Sequence, residues 1–314
     1  MAWLIDERSI GERVFGVKLS KLDKPSLGPY PRPMQHGQAS LTALGAAGHR
    51  AAHQVLERGF VFADPLALSI LGQDADDAIA RAKEQPERRP LRLFIAMRSR
   101  FAEDSARRAI ENGVRQILVM GAGLDTFAYR LERSHDLCVF ELDHPATQAE
   151  KRRRLAKAQI AEPAHVSYVA HDFEGGSMTA SLEGAGFDAS KRTFVLWLGV
   201  TPYLTEEAVF ATLSDLAHLP GGAEVVFDYA NPPDRVTDAA ARARHEQMAE
   251  RVAASGEPFR CYFDSAKLHA RARELGFSEI DDLDRAALVA RYLPDLPVAP
   301  RPGPGGHVVR MATA

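Results

Sequence analysis

Two glycines and two acids give the first chemical lead in this sequence. The stretch ILVMGAGLDT, residues 117–126, drives an apolar run into Gly121, Ala122 and Gly123 and then Asp125, and a second acid, Asp143, closes the next apolar run, LCVFELD. A strand that ends in Gly-Ala-Gly brings bare backbone close to a ligand, and the helix start after it offers free N–H groups. An acid ending the following strand suits the two hydroxyls of a ribose. A dinucleotide fingerprint, however, has a third glycine where this chain has Thr126, which makes pyrophosphate the less attractive ligand. Residues 1–114, mostly of helical pattern, precede this first strand, whereas many nicotinamide enzymes open on it. Nor does any tyrosine have a lysine four positions later to handle a proton. A ligand with an adenosine but no pyrophosphate fits these residues better, and S-adenosylmethionine is one.

Further residues carry weaker chemical signals. Asp125 reads equally as a helix N-cap and as a cofactor contact. His49 and His53 have the i, i+4 spacing of a zinc pair, but Arg50 stands where a catalytic glutamate would, and no third ligand is evident, so no metal is expected. KRRRLAK, 151–157, reads as the solvated face of an amphipathic helix. Phe194 and Trp197 read as strand core, and Cys138, in an apolar run, as a core residue too. Tyr203 follows the fourth strand at the edge where open α/β sheets bind ligands, and is expected to line an acceptor pocket. Three groups near strand ends could take a proton, namely Asp228, His144 and His307, and none has a recognisable partner in the sequence.

The elements that must position these groups follow from periodicity. Strands are expected at 115–122, 137–143, 165–172, 192–199 and 223–229, apolar on both faces and separated by helices, notably 145–160 and 205–219, which implies a parallel, doubly wound α/β sheet. Before them, helices are expected at 40–58, after the Asp64–Pro65 pair, and at 91–112, with Gly113 as the left-handed cap. After them come a polar, alanine-rich helix ending near Gly256, a helix at 265–275, a strand from Phe277, a proline-rich loop and a last strand, the final two suited to an antiparallel edge. The expected organisation is an extended or disordered arm over 1–37 and a single domain over 38–314. Within that domain lie N-terminal helices (38–112), a cofactor-binding core (113–230), a lid (231–264) and a C-terminal helix with strands (265–314).

Composition narrows the partners. The chain has 314 residues, 39 Lys and Arg against 42 Asp and Glu, and a formal charge of -3, so no overall field draws it to nucleic acid or to an anionic membrane. A small-molecule partner is expected. The longest apolar runs, such as 117–122 and 193–200, are far short of a membrane span. Two cysteines without a CxxC pair, and an N-terminus with charges where a signal peptide is apolar, point to the cytoplasm.

Several ordered segments together carry a family resemblance: RSRFAEDSARRAIENGVRQILVMGAGLDTFAYRL, FELDHPATQAEKRRRLA, VAHDFEG, FVLWLGVTPYLT and VVFDYANPP, preceded by SLTALGAAGHRAAH and VFADPLALSILG. From about residue 40 onward the chain resembles the leucine carboxyl methyltransferase-like family of S-adenosylmethionine-dependent methyltransferases. The resemblance implies a class I methyltransferase (Rossmann-like) sheet of seven strands with the last one antiparallel. It further implies that Arg98, or failing it Arg100, binds the methionine carboxylate of the cofactor. Gly121, Ala122 and Gly123 would run along the cofactor, Asp143 would bind the ribose with Glu141 behind it, Asp172 would accept from the adenine amino group and Phe173 would line the ring. Where many relatives have Glu before a small residue after the fourth strand, this chain has Leu198 before Gly199, an apolar lining at the methionine end.

The function these readings lead to is O-methylation of a small molecule. A hydroxyl must lose a proton as it attacks, whereas a carboxylate is already ionised at neutral pH. With no well-marked base, a carboxylate or acidic phenol is the more natural acceptor, although Asp228 with Tyr229 could serve a hydroxyl. A nicotinamide oxidoreductase and a cofactor-binding scaffold without catalysis are the alternatives.

Overall fold

Five runs of apolar, β-branched residues form the centre of the molecule because both of their faces are covered. The computed structural model describes residues 40–131, 136–174, 176–236, 239–254, 257–295 and 305–314; the expected arm over 1–37 lies outside them. The strands are β1 (Gln116–Met120), β2 (Cys138–Asp143), β3 (Val166–Ala170), β4 (Thr193–Trp197), β5 (Ala223–Ala230), β6 (Phe277–Leu283) and β7 (Gly306–Thr313). They form one sheet in the order β3-β2-β1-β4-β5-β7-β6. β1 to β5 are mutually parallel, and β7 runs antiparallel to both β5 and β6. The seven-stranded class I methyltransferase sheet is therefore present, with its last strand antiparallel.

Eleven described helices surround it: α1 (Leu41–Leu56), α2 (Ala67–Leu71), α3 (Asp74–Glu84), α4 (Arg89–Glu111), α5 (Phe127–Arg130), α6 (Pro145–Lys157), α7 (Met178–Leu182), α8 (Glu206–Ala217), α9 (Ala239–Ala254), α10 (Ser265–Leu275) and α11 (Arg285–Tyr292). Alternation along the strands divides the core. Leu118, Met120, Val195, Trp197, Val225 and Phe227 pack toward α7, α8 and α10. Their neighbours Ile117, Val119, Phe194, Leu196 and Val226 pack toward α4 and α11. A smaller alanine- and leucine-rich cluster joins α1, α2 and α3 to Leu155 of α6 and to Leu124.

Local signals behave as their chemistry requires. Ser40, Thr205, Asp264 and Asp284 each accept backbone N–H groups at a helix start, and Gly113 follows α4 with φ +95°. Three expectations need correction. Cys138 is exposed, because it is the first residue of β2 and lies outside the helix-covered part of the strand. KRRRLAK is not solvated throughout, since Lys151 is buried and its ammonium lies 2.8 Å from the buried Glu141 carboxylate. The expected element order also lacks α3 and α11, formed by the charged stretch after Gly72 and by the residues after Asp284.

Candidate cofactor and acceptor site

The strand order reverses between β1 and β4, and a crevice at the carboxyl ends of the strands is where ligands bind in such sheets. The turn after β1 lies there. Gly121 and Ala122 donate to the carbonyl of Leu142 at 2.8 and 3.2 Å, which fastens the turn to β2. Gly121 has φ +63°, and a Cβ on it would meet Val200 Cγ2 at 2.3 Å, so only glycine fits.

Asp143 ends β2 beside this turn. Its Oδ2 accepts from Gly123 N at 2.6 Å and its Oδ1 from His144 N at 2.7 Å. Burial pushes its carboxyl up, against the pull of those two backbone donors. Each oxygen has used one of its two acceptor sites, so the carboxylate is fixed in place with capacity for two hydroxyls. Glu141, one pleat behind, is sealed in: it pairs with Lys151 and receives Tyr129 Oη at 3.3 Å.

Beyond β3, Asp172 is exposed and accepts from Glu174 N at 3.0 Å. Phe173 packs edge-on to His171 at 4.6 Å between ring centroids and lies 6.5 Å from Trp197. Asp125 accepts from Phe127 N at 2.7 Å, in the manner of a cap, and lies 3.6 Å from Arg50.

At the other end of the crevice, Arg98 reaches from α4 to the ends of β4 and β5. Its Nη1 donates to Asp228 Oδ2 at 2.5 Å, and Asp228 Oδ1 accepts from Gly199 N at 2.5 Å. Gly199 lies against Arg98 Nη2 and has φ +72°, a left-handed conformation that favours glycine. Arg98 Nε is buried without an acceptor among the described residues. Arg100, the second choice, is instead exposed and pairs with Asp104 at 2.8 Å. Leu198 lines a small cavity of about 30 Å³ with Gly121, Met120 and Glu103; the carboxylate bonded to the adjoining turn comes from Asp228, on the next strand.

Tyr203 lies in a short 3-10 turn, Thr201–Tyr203. Burial pushes its phenol up to about 12, with Glu257 and Asp228 adding to the effect, Arg98 opposing it, and the Thr42 side chain hydrogen-bonded to it. Glu257 Oε2 in turn accepts from Thr42 N at 2.8 Å. The structure thus brings Tyr203, Arg98, Asp228 and the start of α1 together.

All three groups read as unpartnered proton acceptors have partners, which corrects the sequence reading. Asp228 is paired with Arg98. His144 Nδ1 accepts from Ala146 N at 3.2 Å at the start of α6. His307 lies between Asp282 Oδ1 at 3.0 Å and Asn231 Oδ1 at 2.9 Å. Sequence reasoning also missed a buried clasp on the glycine turn. Arg50 Nη2 donates to Leu124 O at 2.5 Å and its Nε lies 3.5 Å from Asp64, while Thr126 Oγ1 donates to Asp64 Oδ2 at 2.8 Å. Arg130 donates to Thr126 Oγ1 at 3.0 Å and pairs with Glu103. Arg50 and Asp64 stood in segments that carried the resemblance, with no role attached.

The donor set fits an S-adenosyl cofactor: a glycine turn open to close approach, a fixed carboxylate at the end of β2, and a partly buried guanidinium with a spare buried donor by the ends of β4 and β5. The leucine carboxyl methyltransferase family profile matches residues 43–217. The chain is 31% identical over 257 residues to "Putative S-adenosyl-L-methionine-dependent methyltransferase YktD" of Bacillus subtilis, covering 73% of this chain and 83% of that protein. It is 32% identical over 211 residues to a Mycobacterium leprae protein of the same description, covering 65% and 69%. A solved O-methyltransferase family protein from Burkholderia thailandensis aligns over 87% of this chain and 72% of its own, with a TM-score of 0.48 and 13% identity.

The chain belongs to the leucine carboxyl methyltransferase family. It is a methyltransferase whose cofactor is S-adenosylmethionine, and the nicotinamide alternative is set aside. Among the described residues no helix is long and apolar enough to cross a membrane.

Proposed function

We propose that this enzyme methylates an oxygen of a small acidic acceptor, a carboxylate or a phenol that ionises unaided. The observation that carries this reading is the engagement of all three strand-end bases, above all Asp228 in its 2.5 Å pair with Arg98. Both Asp228 oxygens are taken up in holding Arg98 and the Gly199 N–H in place, so an acceptor that arrives already ionised suits the site.

Roles for the residues follow. Arg98, oriented by Asp228, offers Nε to the carboxylate of the cofactor, in the planar, charge-assisted manner for which guanidinium is suited. Asp143 takes the ribose hydroxyls on the acceptor sites that Gly123 and His144 leave open. Gly121, Ala122 and Gly123 run along the cofactor with bare backbone, Asp172 accepts from the adenine amino group, Phe173 covers the ring, and Leu198 gives the methionine end an apolar wall. When bound, the cofactor supplies a methyl group on a sulfonium. The protein's work is then alignment and the exclusion of water, with Tyr203 walling the acceptor side and the described part of the 231–264 segment, chiefly α9, closing over it.

The test is chemical. The enzyme is incubated with S-adenosylmethionine and a panel of carboxylic acids, phenols and alcohols, and methylated products are treated with mild alkali. Methanol release marks an ester and supports the carboxylate reading. An alkali-stable ether of an unactivated alcohol, lost in Asp228→Asn while affinity for S-adenosylhomocysteine is kept, would overturn it and make Asp228 the base.

A further inference from the structure

Five buried side-chain N–H groups lack a hydrogen-bond acceptor among the described residues, and three of them sit on arginines of one neighbourhood: Arg88 Nε, Arg92 Nη1 and Arg98 Nε. Buried donors are almost always satisfied, and a cluster of exceptions calls for a missing acceptor. Arg98 Nε is accounted for by the cofactor. Arg88 and Arg92 are not.

Their surroundings are unusually cationic. Arg92 is buried and grips Glu57 side-on, through Nε at 2.8 Å and Nη2 at 2.6 Å, which leaves Nη1 on the opposite edge. Arg88 has no carboxylate within ion-pair distance among the described residues. Its Nη1 donates to Gln85 Oε1 at 3.2 Å and its Nη2 meets His49 Nε2 at 3.2 Å. Glu87 lies in its field, and Arg251 of α9 adds a like charge. His49, on α1, is held down to about 3 by burial and by the charges of Arg88, Arg92 and Arg98, so it stays neutral and accepts from Arg88. The other His of α1, His53, is engaged with Glu57 at 3.2 Å. Two guanidiniums with unused donors thus lie against α1 and Glu57, Arg88 in the field of Arg251, beside an imidazole that their charge and its burial keep unprotonated. An oxyanion placed among them would satisfy both donors, and its charge would offset the guanidinium charges around His49.

We infer that Arg88, Arg92 and His49 form a subsite for an oxyanion of the methyl acceptor, distinct from the cofactor's own carboxylate site at Arg98. The inference rests on the reading of the strand ends as a methyl-transfer site, and it narrows the acceptor to molecules bearing a carboxylate or phosphate that α1 and the start of α4 can hold. The charge of Arg98 acts on the same His49, and Arg98 lies against Gly199, so this arginine links the subsite to the ends of β4 and β5. A fork of guanidiniums recognises planar carboxylates and phosphates alike.

The probes are benzoate, phenyl phosphate and neutral benzamide, added to the full chain saturated with S-adenosylhomocysteine. Calorimetry gives affinity, and histidine-labelled NMR follows the His49 ring. With either anion at neutral pH, the His49 ring resonances are expected to move, and benzamide is expected to leave them in place; the tighter anion identifies the oxyanion. Arg88→Gln should weaken that anion at least tenfold and abolish the His49 shift, Arg88→Lys should restore part of both, and S-adenosylhomocysteine should bind both variants within twofold of the parent. Benzamide binding as well as benzoate, or no His49 response to either anion in protein that binds S-adenosylhomocysteine, overturns the subsite and leaves the methyl-transfer reading standing. Failure to bind S-adenosylhomocysteine at all would overturn both.

Discussion

Arg98 Nη1 and Asp228 Oδ2 meet at 2.5 Å across 130 positions of sequence, and the other oxygen of the same carboxylate takes the Gly199 N–H. One acid therefore ties a helix on one face of the sheet to the ends of two adjacent strands. Removing one member of a mostly buried pair leaves an uncompensated charge, at a cost of about 3 kcal/mol. Asp228→Ala is expected to lower unfolding stability by that order, and Arg98→Ala, Asp228→Ala together by less than the sum of the two. Denaturant titration of the four proteins of this cycle checks it; strict additivity would mean the pair is not coupled.

The same pair sets ligand preference. Arg98→Ala should weaken S-adenosylhomocysteine at least tenfold while leaving adenosine nearly unchanged, since adenosine has no carboxylate to lose. Calorimetry with both ligands decides. Equal losses would show that Arg98 acts through the fold.

Asp143→Ala should lower affinity for S-adenosylhomocysteine by at least tenfold, because each hydrogen bond to a charged acceptor is worth roughly 1.5–3 kcal/mol. It also strips the Gly123 and His144 N–H groups of their acceptor. Asp143→Asn keeps one acceptor oxygen and should fall between the parent and the alanine variant. An unchanged dissociation constant in Asp143→Ala removes the residue from the site.

Acid stability should report on Asp282. Burial acts to raise its carboxyl, but hydrogen bonds from His307, Tyr229 and His269 and the charge of His307 outweigh it and hold the group below its ordinary value. A carboxyl depressed in the folded state contributes stability above its unfolded value, near 3.9, and loses it as pH falls through the lower folded value. The parent should therefore lose stability on acidification below about pH 4 more steeply than Asp282→Asn, which starts less stable at neutral pH. Parallel curves for the two proteins would rule the cluster out as an acid-sensitive element.

Helix α9 supplies a kinetic test. None of its described residues is fully buried, and its neighbourhood is tied down by Glu257 on Thr42 N and by His245 near Tyr262 at 3.3 Å. As a cover that opens and closes, it should exchange its amides far faster than α4 in the free protein and slow when cofactor product and an acidic acceptor are both bound. Protection equal to that of α4 in the free protein would show a fixed wall instead.

The sheet was legible because strands covered on both faces are uninterrupted apolar runs. Helix α3 was not, since it buries only Ala75 and Ala78, and small residues leave no visible period among so many charges. Helix α11 carried a start signal in Asp284 but is short and runs straight toward a proline-rich loop. At the site, Asp143 could be read directly as an acid ending a strand, whereas Arg98 was reached only by resemblance, because nothing local separates it from Arg100. The pairing of Asp228 with Arg98 and the basic neighbourhood of His49 could not be read at all. They depend on which residues meet when α1 and α4 fold onto the strand ends.

The Arg50–Asp64 clasp on the glycine turn has a consequence for the order in which the molecule is made. The residues that grip Leu124 and Thr126 leave the ribosome 62 to 74 positions before the turn they hold, so the first helices wait, half-finished, for the strand that completes them. The turn after β1 is thus held by residues made well before it. Sequence drift in α1, remote from any reacting atom, will show itself as poor grip on the cofactor by an enzyme whose sheet is whole.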